Sequence, residues 1–131
     1  MIKNIEFIKH LGIKQEGNSL TLEPKKELLN HIGSIHAGAI FTLAESQSGL
    51  TLITQFGKAN VKALLRNSNI KYRAEATSKL TAIGSIEPKD IEKFNTKLSK
   101  KGRALIDVAV KILDSYDNTV ATTTFSWFIQ R

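Results

Sequence analysis

Asn30-His31-Ile32-Gly33-Ser34-Ile35-His36-Ala37-Gly38-Ala39-Ile40-Phe41-Thr42-Leu43-Ala44-Glu45 is the stretch on which the reading of this chain turns. Its first part is loop-like, and from Ala37 onward it is rich in helix formers apart from one glycine. Across residues 28–57, Glu45 is the only formally charged side chain. Ile40, Leu43, Leu50 and Ile53 fall near one side of such a helix, with Phe41, Ala44 and Leu52 elsewhere, and a helix apolar nearly all round belongs inside. Gly57 supplies its stop. A carboxylate alone on an apolar helix must be paired, be neutralised by a raised pKa, or face a cavity, because burying an unpaired charge is strongly unfavourable. Glu45 is thus either a catalytic carboxylate or a residue that reaches solvent or pairs with a strand Lys or Arg. Asn30, His31, Ser34 and His36 set hydrogen-bonding groups just ahead of the helix N-terminus, which favours the first alternative.

Beyond Gly57 the periodicity changes to alternation. Val61, Ala63 and Leu65, then Ile70 and Tyr72, interleave with Lys62, Lys71 and Arg73, as in a strand. Alternating runs follow at residues 80–86, 104–112 and 120–129, the last two joined by Asp114-Ser115-Tyr116-Asp117-Asn118 as a long hairpin. Near the amino end, residues 5–11 and 19–22, around Glu16-Gly17-Asn18, predict a shorter hairpin. Between strands, residues 88–101 read as a short amphipathic helix: Pro88 suits a first turn, Ile91, Phe94 and Leu98 recur at helical spacing, and Gly102 follows as a stop. The expected fold class is α+β, a single domain over residues 1–131 with an antiparallel sheet of about five or six strands against one long apolar helix.

The 131 residues carry 19 basic and 12 acidic side chains, a formal net charge of +7. Such a surface attracts polyanions or phosphorylated small molecules. No recognition helix, metal knuckle or aromatic-bearing strand pattern is evident, so nucleic acid is not expected as a partner and phosphorylated ligands move up. The absence of cysteine removes disulfides, thiolate metal sites and a cysteine nucleophile, and favours an intracellular compartment. His10, His31, His36 and carboxylates are the remaining metal ligands, and neither a metal nor another cofactor is expected. No run approaches ~18 consecutive apolar residues and residues 1–10 lack a signal-peptide core, so a cytoplasmic protein without membrane insertion is the expectation.

In order and spacing, the quoted block resembles the hot-dog-fold acyl-CoA thioesterases related to the phenylacetate-pathway and 4-hydroxybenzoyl-CoA enzymes. Their pattern of Asn, five residues, His-Gly-Gly and then a helix with Leu-Ala before an acidic residue is matched by Asn30, His36, Gly38 and Leu43-Ala44-Glu45. Asn69-Ile70-Lys71-Tyr72 resembles the family's strand after the helix, and Lys101-Gly102-Arg103 with the alternating run after it resembles its last hairpin. The resemblance covers residues 28–131, and the helix at 88–101 looks like an insertion found in one bacterial branch.

The resemblance implies a sheet wrapped around the long helix, hydrolysis of an acyl-CoA, and a homodimer or dimer of dimers. It makes Glu45 the nucleophile or general base, and a backbone N–H of Ala37 or Gly38 the oxyanion donor. Ala37 stands where the family has glycine, which preserves the donor if its φ is not positive. Asn30 would hydrogen-bond the carboxylate, water or thioester, and His36 would orient the loop or line the pocket, although His36 alone is as readily a structural histidine. The family's Ser or Thr ahead of Asn69 falls at Leu65 here; Asn67, on the same face by strict alternation, or Ser68 are the candidate replacements. Lys71, Arg73, Lys100, Lys101 and Arg103 are the candidate contacts for CoA phosphates. Two other functions compete: a hot-dog protein that binds an acyl thioester without turnover, and, less favoured because the usual histidine loop is missing, a hydratase.

Overall fold

The computed structural model describes residues 2–57 and 61–131. Its elements in chain order are α1 (Glu6–Leu11), β1 (Lys14–Glu16), β2 (Ser19–Leu22), α2 (Ala37–Phe56), β3 (Lys62–Tyr72), β4 (Leu80–Ser85), α3 (Pro88–Lys101), β5 (Arg103–Leu113) and β6 (Thr119–Gln130). Short 3₁₀ turns cover Ile2–Asn4 and Lys26–Leu28. Among the described residues the strands form one six-stranded antiparallel sheet in the order β1-β2-β4-β5-β6-β3. β1 and β3 are its edges.

The amino-terminal hairpin differs from its expected place. Residues 5–11 do not form a strand: Glu6–Leu11 is helical, and Lys14–Glu16 is what pairs with Ser19–Leu22. Ile5, Ile8 and Leu11 are spaced by three, which is helical spacing disguised as alternation over so short a run. Gly12, at φ 81°, ends the helix by donating its N–H to the carbonyls of Ile8 and Lys9.

α2 lies across the inner face of the sheet and buries Ile40, Leu43, Ala44, Leu50 and Leu52. They meet Leu20, Leu22, Leu80, Val108, Ile112, Val120 and Phe125, all essentially inaccessible to solvent. β5 supplies its share by strict alternation, with Ala104, Ile106, Val108, Val110 and Ile112 inward. A buried Gln47 fastens α2 to the first hairpin: it accepts from the Leu20 N–H at 2.7 Å and donates to the Asn18 carbonyl at 2.9 Å. At Gly84 on β4 the strand approaches so closely that a Cβ would overlap the Thr51 side chain of α2. The β5–β6 turn forms as expected, the Asp114 carboxylate accepting from the N–H groups of Tyr116 and Asn118 at 2.9 Å each.

β4 pairs only with residues 109–113 of β5, and α3 packs against the other half of that strand. Phe94 is the buried anchor of α3, its ring 4.9 Å from that of Phe56 at the end of α2. The C-terminal Arg131 fixes the far end, its guanidinium donating to the carbonyl of Leu98 at 2.8 Å.

Candidate active site

The loop before α2 is built by its own polar side chains. Asn30 Oδ1 accepts from the N–H groups of Ile32 and Ser34, each at 3.0 Å, which closes the turn. His36 is the N-cap of α2, with Nδ1 accepting from the Gly38 N–H at 2.9 Å. A Cβ at residue 38 would sit 3.2 Å from that nitrogen, so glycine lets the ring approach. With Gly38 engaged, Ala37 is the N–H left to act as a donor: among the described residues it has no hydrogen-bond partner. The only described non-glycine residue at positive φ is Asp117, so Ala37 holds its place without strain.

Around this helix start lies a depression of about 370 Å³ lined by Asn30, Ser34, Ala37, Tyr72 and Arg73, among others. The Tyr72 hydroxyl donates to the Ala37 carbonyl at 3.3 Å and so ties the end of β3 to the start of α2. Ser34 Oγ is buried there without a partner. Ser34 belongs to the polar cluster that the sequence sets ahead of the helix, whereas Tyr72, which closes the Asn69-Ile70-Lys71-Tyr72 motif, is a lining residue that the sequence does not mark as part of the site.

Glu45 stands about two turns further along α2, half-buried. Among the described residues its carboxylate makes no ion pair or hydrogen bond. Burial raises its pKa above the ordinary carboxylate value, with no partner to hold it down. It lies on a strip with Phe41 and Gly49 that is less deeply buried than the core face. Phe41 packs edge-on against Phe125 of β6 at 5.7 Å, and the Trp127 indole of the same strand donates to Ser48 Oγ at 3.0 Å. Residues 41–48 of α2 therefore lie over residues 125–127 of β6, and the next strand outward is β3.

On β3 the structure corrects the reading of Asn67. A β-bulge at Arg66 shifts the register: Leu65 pairs with Trp127, but Asn67 pairs with Ser126 and Ser68 with Phe125. Directly opposed residues share a face, and Trp127 and Phe125 face α2 whereas Ser126 bonds Asp107 on the outer face. The extra residue turns Asn67 outward and brings Ser68 to the helix side. Ser68, three residues after Leu65, thus occupies the face on which the hydroxyl of the resembling family would act.

The basic residues divide into two groups. Lys71 pairs with Thr122 and Arg73 lines the depression at the α2 N-terminus, while Arg103 pairs with Gln130 and follows Lys100 and Lys101 at the end of α3. Thr122 and Gln130 are eight residues apart on β6, or about 26 Å at ~3.3 Å per residue. All five side chains are exposed. Within one chain they do not form a single phosphate site. No group of three or more potential metal ligands occurs among the described residues, and no helix is long and apolar enough to cross a membrane.

Comparison with known proteins places this geometry in context. Residues 8–129 match the family model described as a domain of unknown function, DUF4442. No curated protein matches the chain. Among solved structures, the chain resembles a protein of unknown function from Pseudomonas aeruginosa described as a probable thioesterase, with TM-score 0.87 and 23% identity over 98% of this chain and 90% of that one. A Bacillus halodurans protein solved with CoA aligns with TM-score 0.76 and 23% identity, over 95% and 76% of the two chains. A Streptococcus mutans protein bound to acetyl CoA aligns with TM-score 0.66 and 26% identity, over 86% and 79%. The shared architecture is the hot-dog fold, a sheet wrapped about one long helix.

Proposed function

Since the chain belongs to the DUF4442 family and carries a hot-dog fold, we propose that it hydrolyses an acyl-CoA thioester to a free acid and CoA, with Glu45 as its catalytic carboxylate. The observation that carries the reading is Glu45 itself, a half-buried carboxylate with a raised pKa and, among the described residues, no partner, on the open strip of an apolar helix. A buried charge retained without compensation is the mark of a group kept for chemistry. The solved relatives holding CoA and acetyl CoA support the substrate class.

In this reaction Glu45 takes a proton from water as the water oxygen bonds to the thioester carbonyl carbon. Negative charge gathers on the carbonyl oxygen, where the Ala37 N–H and the positive end of α2 stabilise it. The tetrahedral intermediate then collapses, the C–S bond breaks, and the proton passes to the CoA sulfur. Direct attack by Glu45, through an anhydride that water opens, gives the same products. Label found in the protein after single turnover in heavy-oxygen water identifies the second route, since only an anhydride opened at the Glu45 carbonyl leaves it there.

One chain does not complete this site. Glu45 lies eight residues from Ala37, about 12 Å along the axis at ~1.5 Å per residue. The Ala37 N–H points away from Glu45, so an oxygen bound to it stands roughly 10 Å from the carboxylate, whereas a base, one water and a carbonyl span only about 7 Å. We infer that a second copy, joined along the exposed edge of β3, brings its own α2 N-terminus opposite Glu45. A homodimer is the smallest assembly that meets this need. Leu64, Leu105 and Ile83, 48%, 58% and 47% exposed on the outer face of the sheet, favour a further pairing into a dimer of dimers.

The test is release of free thiol from acyl-CoAs of graded chain length and from aryl-CoAs. Wild-type protein should turn over at least part of the panel, and Glu45→Gln should lower kcat by about 10²- to 10⁴-fold with binding retained. Turnover by Glu45→Gln at the wild-type rate would remove Glu45 from the mechanism. Saturable binding with no thiol released by the wild type would make the protein an acyl-CoA binder.

A further inference from the structure

The strip of α2 that carries Glu45 continues at helical spacing through Gly49 to Leu52, Ile53 and Phe56. From Gly49 onward it borders a cavity of about 330 Å³ that the catalytic scheme above leaves unused. Leu52, Ile53 and Phe56 of α2 form one wall, Trp127 of β6 another, and Phe94 and Leu98 of α3 the end. Among the described residues no charged side chain lines it, the one polar group of the Trp127 ring is already committed to Ser48, and Asn95 is the only other polar side chain of the lining. Such a space offers water few partners and favours an apolar occupant.

Gly49 is the threshold between Glu45 and this cavity. A mid-helix glycine costs stability that alanine would spare, and a Cβ here would meet Ile2 Cδ1 at 3.4 Å and Trp127 Cζ2 at 4.0 Å, which is contact without overlap. Helix packing therefore does not require glycine, but any side chain larger than methyl would fill the opening.

We propose that the cavity receives the tail of a linear aliphatic acyl chain whose thioester lies at Glu45, and that α3 sets the longest chain accepted. The proposal rests on the acyl-CoA reading above and names the class of acyl group. From Glu45 to Phe56 is eleven residues, about 16 Å along the axis. An extended hydrocarbon advances about 1.3 Å per carbon given C–C bonds of ~1.5 Å, so a chain of about twelve carbons spans that length. The volume agrees: at roughly the ~30 Å³ that a small molecule such as water occupies, it holds about ten methylenes. An aryl group, by contrast, would stop beside Glu45 and leave the cavity empty. The direction of the tail also sorts the two basic groups, since CoA must then leave toward the α2 N-terminus, Lys71 and Arg73, away from Lys100, Lys101 and Arg103.

Trp127 is the only tryptophan in the chain and stands in the cavity wall, so it reports occupancy independently of hydrolysis. In Glu45→Gln protein, dodecanoyl-CoA kept below its micelle concentration should change Trp127 emission saturably, and acetyl-CoA should not. Adding Gly49→Leu should abolish that response. With Glu45 intact, Gly49→Leu and, separately, Leu98→Phe should each lower the ratio of kcat/KM for dodecanoyl-CoA over butanoyl-CoA at least tenfold. Leu98→Phe lies at the far end of the cavity and keeps the test valid if Gly49→Leu does not fold. Unchanged ratios together with a silent Trp127 overturn the proposal even if thiol release is rapid. A Trp127 response to dodecanoyl-CoA that Gly49→Leu removes supports it even if the wild type releases no thiol, the result that would overturn hydrolysis.

Discussion

Glu45 is where stability and chemistry pull apart. Burial raises its pKa, so the folded protein binds this proton more tightly than the unfolded chain. Its favourable contribution is present below the ordinary carboxylate pKa of about 4.3 and is lost as pH rises through the raised folded value. Glu45→Gln should accordingly melt at a higher temperature than wild type at neutral pH and at the same temperature near pH 3, as calorimetry across that range would read. In the proposed reaction activity follows the opposite course: with Glu45 as the base, kcat should rise with pH through a pKa above the ordinary carboxylate value, as the carboxylate becomes free to accept a proton. Glu45 was legible in the sequence because a lone charge in an apolar stretch needs no coordinates to stand out. The choice of Ser68 over Asn67 was not, because counting by twos assumes an unbroken register and the bulge at Arg66 adds a residue that alternation does not reveal. The two neighbours give a sharp comparison. Ser68→Ala should lower kcat for an acyl-CoA about 10²-fold if its hydroxyl positions water or substrate, while Asn67→Ala should leave steady-state constants within about twofold, as surface changes generally do.

Among the elements, long ones with a clear period read true from sequence. The alternation of β5 and the apolar breadth of α2 gave their place and burial, and Pro88 and Gly102 bracketed α3. Six-residue α1 did not, since two turns of helix hold too few apolar positions to distinguish a period of 3.6 from one of 2. Nor does sequence show how tightly α2 seats on the sheet, which depends on the approach of Gly84 to Thr51. Gly84→Ala should destabilise the protein by about 1 to 3 kcal/mol through overpacking. Thr51→Ala removes the overlapping atoms, so the double variant should be more stable than the sum of the two single changes predicts, as denaturant unfolding of all four proteins would measure.

For the molecule as a whole, the +7 charge matters by where it lies. Reversing Lys71 and Arg73 to Glu should raise KM for acyl-CoA severalfold with little change in kcat, and added salt should shrink the difference as screening shortens to ~8 Å. Reversing Lys100, Lys101 and Arg103 should leave KM within about twofold, since the proposed binding mode puts them at the tail end of the ligand. Light scattering should give a mass of at least twice the 14.5 kDa chain. The edge on which the proposed assembly rests is only faintly written in the sequence, since an edge strand and a central one share the same alternation. Among the described residues, the eleven of β3 are paired on one side only, which bears on how any activity depends on protein concentration. If each centre needs a base from one chain and a donor from another, activity obeys mass action in the protein itself. Rate per chain should fall on dilution below the dissociation constant of the dimer, progress curves begun from dilute stocks should show a lag, and an inactive Glu45→Gln chain mixed with wild type should form hybrids that retain one working centre.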